Sequence, residues 1–248
     1  MSTRRIWILT LFPEFFKPFL ECGIAGAAFR GDRGDGDFKF EVHFVNIRDY
    51  STTKYKSVDD SPFGGGPGMV MRADILKEAL LKGVVEAGGY SGNEELHVVY
   101  TSPRGTVWTN KVAREFGISK LGGEKDIVFI CGRYEGIDER FLELYVNDYY
   151  SVGDYVLTGG EIPVMAMLDS AVRFVPGILG NKLSAGDDSF EDGLIEFPQY
   201  TKPREFEGKD VPAILLEGHH KKIGEWQKEE KLQMTKKWRP DLLKRDNK

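Results

Sequence analysis

The chain has 248 residues, 41% apolar, 29% charged and 12% aromatic, enough for one large domain or a medium one with a small partner, and too apolar for disorder. Its net charge of −5 excludes a molecule that is basic throughout, and no apolar run approaches the roughly 18 residues of a membrane span. The opening Met1-Ser2-Thr3-Arg4-Arg5-Ile6-Trp7 has no signal-peptide pattern and the cysteines, Cys22 and Cys131, have no metal spacing, so a cytoplasmic protein with reduced thiols is expected.

In chain order, "RRIWILTLF" (4–12) reads as a buried strand and "FKFEVHF" (38–44) as a half-covered one, with the polar loop "RGDRGDGD" (30–37) between them. The glycine-rich "SPFGGGPGMVM" (61–71) follows. It fails as a phosphate loop, because Met69 follows Gly68 where Lys-Ser/Thr is required. Next, "ADILKEALLKGVVEAG" (73–88) predicts a helix with Ile75, Leu76, Ala79, Leu80 and Val84 on one face. Strand "ELHVVY" (95–100), helix "NKVAREFG" (110–117), strand "DIVFIC" (126–131) and helix "GIDERFLEL" (136–144) come after it. A strand "DYVL" (154–157) and a helix "PVMAMLDSAVRFV" (163–175) complete the series. This alternation predicts an α/β fold with a largely parallel sheet.

Residues 1–179 therefore form the expected main domain. Residues 180–192, with little to bury, read as a flexible linker or lid. Residues 193–248 form a small helical domain, with Ile223, Trp226, Leu232 and Trp238 as apolar anchors of a helix over 218–243. Its last part, Glu217 to Lys248, carries ten Lys/Arg against six Asp/Glu, or +4, which leaves −9 on residues 1–216. Such asymmetry can mark an anion-binding face.

Three strands run into turns rich in Gly, Pro or Ser: "VVYTSPRG" (98–105), "VFICGRYEG" (128–136) and "YVLTGGE" (155–161). Ligands of open α/β sheets collect outside the carboxyl ends of the strands, so the three turns together point to a small-molecule site. No G-x-G-x-x-G follows the first strand, which leaves an ordinary dinucleotide fold unsupported.

The segments "DDSPFGGGPGMVM", "CGRYEGIDER", "SVGDYVLTGGE", "AVRFVPGILG", "DDSFEDGL", "PQYTKP" and "GHHKKI" occur in this order. Together they resemble the bacterial tRNA (guanine-37-N1)-methyltransferase family, TrmD, from Trp7 to Leu243. The resemblance implies a SPOUT-class parallel sheet tied in a deep trefoil knot, a homodimer with its active site shared between subunits, and S-adenosyl-L-methionine as methyl donor. Carried over, the donor's contacts are Tyr100, Thr101, Ser102 and Pro103 from the first turn and Gly132 and Glu135 from the second. The third turn gives Val152, Gly153, Asp154, Tyr155, Val156 and Leu157, with Gly159 and Gly160 behind them.

The resemblance also implies Asp188 as the base that takes the N1 proton of guanine, strengthened under a closing lid by the neighbouring carboxylate of Asp187. Arg173 would stabilise charge on the guanine O6. On the residues alone, Asp188 reads as a solvated aspartate and Arg173 as a helix cap. The basic C-terminal domain would grip the anticodon stem while guanine 37 is flipped out. Asp59, Pro67, Gly68, Arg133, Ser184 and Glu196 are expected on the RNA side, Glu196 replacing the Asp that reads guanine 36 in many relatives. Tyr55 is a second departure, at a position often held by His. The pair His219-His220 reads as structural, and the family also raises Mg²⁺ as a participant.

Overall fold

The computed structural model describes residues 2–33, 38–178 and 188–247. It divides into two units, Met1–Gly180 and Asn181–Lys248. Among the described residues no helix is long and apolar enough to cross a membrane.

The first unit is a mixed α/β structure. In chain order it holds β1 (Ser2–Thr10), α1 (Lys17–Glu21), α2 (Gly23–Phe29), β2 (Phe38–Asn46), the two-residue strands β3 (Asp59–Asp60) and β4 (Val70–Met71), α3 (Ala73–Leu80), β5 (Leu96–Val107), α4 (Asn110–Phe116), β6 (Asp126–Ile130), α5 (Glu139–Tyr145), β7 (Asp148–Ser151) and α6 (Glu161–Val172). Five strands form one sheet in the order β2-β1-β6-β5-β7, and every neighbouring pair is parallel.

The sheet's period of two divides the core between its faces. Trp7, Leu9, Val98, Tyr100, Val128 and Ile130 join Ile75, Leu76, Ala79, Leu80 and Val84 of the α3 region on one face. Ile6, Ile8, Val99, Ile127 and Phe129 join Phe116 of α4 and Val164, Met167 and Leu168 of α6 on the other. Central strands buried on both faces must be apolar almost throughout, which is why β1 and β6 were legible as continuous runs. The helix expected over 73–88 continues past α3 as a π-helical stretch through Leu81–Glu86.

Two expectations are corrected. The strand expected at 154–157 lies upstream at β7, where Tyr149 and Tyr150 pair with Tyr100 and Thr101. The "DYVL" segment is an exposed turn: Gly153 has φ 151° and Val156 is 90% exposed. A short apolar run cannot be told from a strand by composition alone. The second correction concerns the C-terminal unit.

That unit holds the two-residue strands β8 (Glu205–Phe206) and β9 (Lys209–Asp210) and a 19-residue helix α7 (His220–Trp238). Ile223, Trp226 and Leu232 are half-buried, but Trp238 is 63% exposed and anchors nothing in this unit. The helix is tied down by polar residues instead. Lys231 Nζ donates to Asp192 Oδ2 at 3.0 Å. Thr235 Oγ1 accepts from the Ile195 backbone at 3.0 Å and donates to the Lys231 carbonyl at 2.7 Å.

Candidate active site

The carboxyl ends of β5, β6 and β7 meet around a cavity of about 380 Å³. Each strand reaches it differently. β5 bulges: Thr101 and Thr106 both pair with Tyr150, so the four residues between them loop out of the ladder. β6 ends at Ile130 and passes directly into Gly132-Arg133-Tyr134-Glu135-Gly136. β7 ends at Ser151 and enters a turn folded on itself, where Tyr155 N–H donates to the Gly153 carbonyl at 3.0 Å and the Tyr155 hydroxyl to that of Val152 at 3.2 Å.

The structure brings together Tyr100, Thr101, Ser102, Pro103, Gly132, Glu135, Val152, Gly153, Tyr155, Val156, Leu157, Gly159 and Gly160 as lining residues. Asp154 is exposed and is not among them. Arg133, expected on the RNA side, lines the cavity as well, and so do Tyr134, Gly136, Tyr150, Ser151, Thr158 and Pro163, which were not expected there. They lie within or beside the quoted segments, but a turn's sequence does not say which of its residues face inward.

Close approach of backbones shapes the wall. A Cβ on Gly160 would lie 2.7 Å from both the Cys131 Cα and the Thr101 Oγ1, so no larger residue fits without opening the cavity. Gly160 N–H donates to the Gly132 carbonyl at 3.0 Å, joining the second and third turns. Thr101 Oγ1 is buried with no hydrogen-bond partner among the described residues. A buried hydroxyl left unpaired costs about 1–3 kcal/mol, which a polar ligand reaching this wall would relieve. Burial pushes the Tyr100 hydroxyl above its usual range, and the Cys131 thiol higher still, the nearby Glu161 adding to the effect. Both groups stay neutral near pH 7.

The glycine-rich loop packs against the second turn. It leaves and re-enters on the antiparallel pair β3–β4. Its exit is stitched to the second turn: Met71 N–H donates to the Gly136 carbonyl at 2.9 Å, Glu135 N–H to that of Met69 at 3.1 Å and Asp138 N–H to that of Met71 at 3.0 Å. Glu135 Oε2 accepts from Met69 N–H at 2.6 Å. Gly68 has φ 86°, which favours glycine, and a Cβ there would push the Glu135 carboxylate aside. The loop therefore holds the Glu135 carboxylate. Pro67 and Gly68 are exposed, and Asp59 sits in β3 opposite Met71.

Arg133 is placed differently from a surface cation. Its guanidinium turns inward, with Nη1 donating to the Thr158 carbonyl at 3.0 Å and Nη2 lying 2.8 Å from Glu161 Oε2. The rings of Phe12 and Phe15 lie 4.5 and 5.7 Å from it. Glu161, 1% exposed, also accepts from Thr10 Oγ1 at 2.7 Å. It stands in the first turn of α6, where the helix dipole favours a carboxylate. Sequence reasoning passed over Glu161, although an acidic residue directly after Gly-Gly at a helix start was the available signal.

The two expected catalytic residues are not among those lining the cavity. Arg173 is the exposed residue that ends α6. The helix runs twelve residues, about 18 Å, from the cavity at Gly160 to this end. Asp188 belongs to the second unit, in a tight turn where Phe190 N–H donates to the Leu194 carbonyl at 2.6 Å. Ser189 Oγ accepts from Glu196 N–H at 3.0 Å, so Asp188 and Glu196 share one turn. Ser184 and Asp187 lie outside the described residues, as does most of the expected lid. Among the described residues no group of His, Cys, Asp and Glu is arranged to hold a metal.

The sequence pattern of the family described as tRNA (Guanine-1)-methyltransferase TrmD matches residues 4–245. The chain belongs to this family. Among its TrmD relatives, the tRNA (guanine-N(1)-)-methyltransferase of Clostridioides difficile strain 630 is 44% identical over 243 residues, covering 98% of this chain and 99% of its own. That of Lactobacillus delbrueckii subsp. bulgaricus is 47% identical over 240 residues, covering 96% and 89%. That of Actinobacillus succinogenes is 42% identical over 240 residues, covering 97% and 91%. The TrmD pattern thus spans both units, the cavity turns as well as the Asp188 turn.

Proposed function

We propose that this chain is a methyltransferase that uses S-adenosyl-L-methionine to methylate N1 of guanine 37 in tRNA, beside a guanine at 36. The observation that carries the reading is the cavity, built by three turns in a chain that shares nearly its whole length with tRNA (guanine-N1)-methyltransferases. Its volume lies within the range of small-molecule sites. The unpaired Thr101 hydroxyl and the close walls at Gly160 fit a polar, nucleoside-containing ligand. Tyr100 to Pro103, Gly132, Glu135 and the turn from Val152 to Gly160 would hold it. Bound there, the donor supplies a methyl group on a positively charged sulfur.

The chain's own residues then have three tasks. The cavity turns hold the reacting partners in line, which for methyl transfer is the larger part of catalysis. Asp188 takes the proton that guanine N1 loses as its bond to the methyl carbon forms. Arg173 faces O6, where the electron pair left by that proton delocalises. Glu196, held in the Asp188 turn by Ser189, reads the neighbouring guanine.

Arg173 stands about a helix length from its own cavity. This supports a homodimer in which Arg173, Asp188 and the basic α7 unit complete the site over the partner's cavity. The trefoil knot of the SPOUT class is part of the same reading.

The test is single-turnover transfer of labelled methyl to a tRNA bearing guanines at 36 and 37, comparing wild type with Asp188→Ala. Label on N1 of guanine 37, lost in the variant by about 10²–10⁴-fold while donor binding persists, is expected. No transfer by a wild-type chain that binds the donor would sink the assignment of this RNA target.

A further inference from the structure

The expectation for Arg133 was an RNA contact, and its geometry points to another task. The Arg133 side chain is 15% exposed, and its guanidinium is held by groups of the first unit. Glu161 Oε1 accepts from Nε at 3.3 Å, its Oε2 lies 2.8 Å from Nη2 as an ion pair, and the Thr158 carbonyl accepts from Nη1. Phe12 and Phe15 cover it.

These partners come from three places. Arg133 is in the second cavity turn, Thr158 in the third, and Glu161 in the first turn of α6, hydrogen-bonded to Thr10 at the end of β1. A planar fork that bonds a carboxylate on one side and a carbonyl on the other fixes both distance and angle between the pieces it joins.

We propose that Arg133 and Glu161 are positioning residues for the methyl donor: together they set the spacing of the second and third cavity turns and through it the donor's affinity and orientation. The inference rests on the methyltransferase reading of the same cavity. Arg133 itself borders the cavity, and Glu161 is not among its lining residues. The pair acts through the Gly132 and Thr158–Gly160 backbones, which line the cavity and are further joined by the Gly160–Gly132 hydrogen bond. Burial makes the arrangement strict, because either partner left alone would be an uncompensated charge. Lysine at 133 keeps the charge and loses the fork, so it is the informative substitution.

The experiment measures donor and tRNA separately on full-length wild type, Arg133→Lys, Arg133→Met and Glu161→Gln. Calorimetry gives the affinity for S-adenosylmethionine and for its demethylated product, and steady-state kinetics give KM for each substrate. Thermal melting shows which variants fold. The expected result is a loss of at least about tenfold in donor affinity and kcat for Arg133→Lys, since small misplacements near a reacting centre reach a hundredfold. Its KM for tRNA and the salt dependence of tRNA binding stay at wild-type values. Arg133→Met falls further than Arg133→Lys.

If Arg133→Met does not fold, Arg133→Lys and Glu161→Gln carry the comparison, and both must show the donor-side loss. A raised KM for tRNA with a shallower salt slope and unchanged donor affinity would overturn the proposal in favour of an RNA contact. Donor affinity and kcat unchanged in a folded Arg133→Lys would overturn it as well. A wild-type chain that binds no donor would overturn the methyltransferase reading first, and this proposal with it.

Discussion

The two ends of α6 teach opposite lessons about how this chain builds a site. At its first turn, Gly160 and Glu161 are packed against Cys131, Thr101, Thr10 and Arg133, and each of those contacts is a short-range constraint on shape. At its last, Arg173 is exposed and ends the helix. The buried end is fixed by its walls, whereas the exposed end is open to solvent. The helix between them is apolar on its buried face, with Val164, Met167, Leu168, Ala171 and Val172 in the core. It sets the two ends about 18 Å apart.

The strongest way to break this contrast is Arg173→Ala. A donor of charge stabilisation to the transition state is worth about 10²–10³-fold in kcat, and that loss is expected with donor affinity unchanged. A fall in donor affinity measured by calorimetry would mean that the exposed end takes part in the cavity after all. Next in size is Gly160→Ala. Its Cβ must displace the Cys131 backbone or the Thr101 hydroxyl, an overpacking cost of about 1–3 kcal/mol, or roughly fivefold to 150-fold if it falls on donor affinity. The affinity for tRNA alone is expected to stay the same.

A smaller effect sharpens the picture of the wall. In Thr101→Val the unpaired hydroxyl is gone, so stability should hold or rise slightly. Donor affinity should fall by about 1 kcal/mol, near fivefold. Unchanged affinity in that variant would show that the hydroxyl does not meet the ligand.

The smallest effect lies at the opposite end of β5. Burial holds the His97 pKa below its usual 6.5, repulsion from Lys120 adds to this, and the attraction of Asp148 opposes it. A histidine with a folded pKa below its unfolded one takes up its proton more readily when unfolded. Its contribution to stability is complete above about pH 6.5 and is lost as pH falls through the folded value. Tm of wild type should therefore drop more between about pH 7 and 5 than Tm of His97→Gln. Parallel curves for the two would contradict this.

How much of this was legible depended on whether a residue's surroundings are local. β1 and β6 could be read because central parallel strands are apolar on both faces, a property of the run itself. The three turns could be read because strand ends collect ligands in any open α/β sheet. The misplaced strand at 154–157 shows the limit: Tyr155, Val156 and Leu157 are apolar because they border a cavity, and the edge strand β7 is less apolar than its own turn. The ion pair of Arg133 was not legible for a similar reason. A single arginine in a glycine-rich turn is indistinguishable in sequence from a surface cation until Glu161, 28 residues on, is seen beside it. Trp238 was misread because periodicity cannot register that Lys231 and Thr235 hold α7 through hydrogen bonds.

The central claim is that one copy's Arg173 and Asp188 serve the other copy's cavity, and mixing two inactive chains tests it most directly. One carries Gly160→Val, with its cavity blocked and both charged residues intact. The other carries Arg173→Ala and Asp188→Ala, with its cavity intact. Each should be inactive alone, and co-folded at equal amounts they should recover about a quarter of the wild-type transfer, from the one complete site in each mixed dimer. Mixed dimers that form, bind the donor and transfer nothing would contradict it.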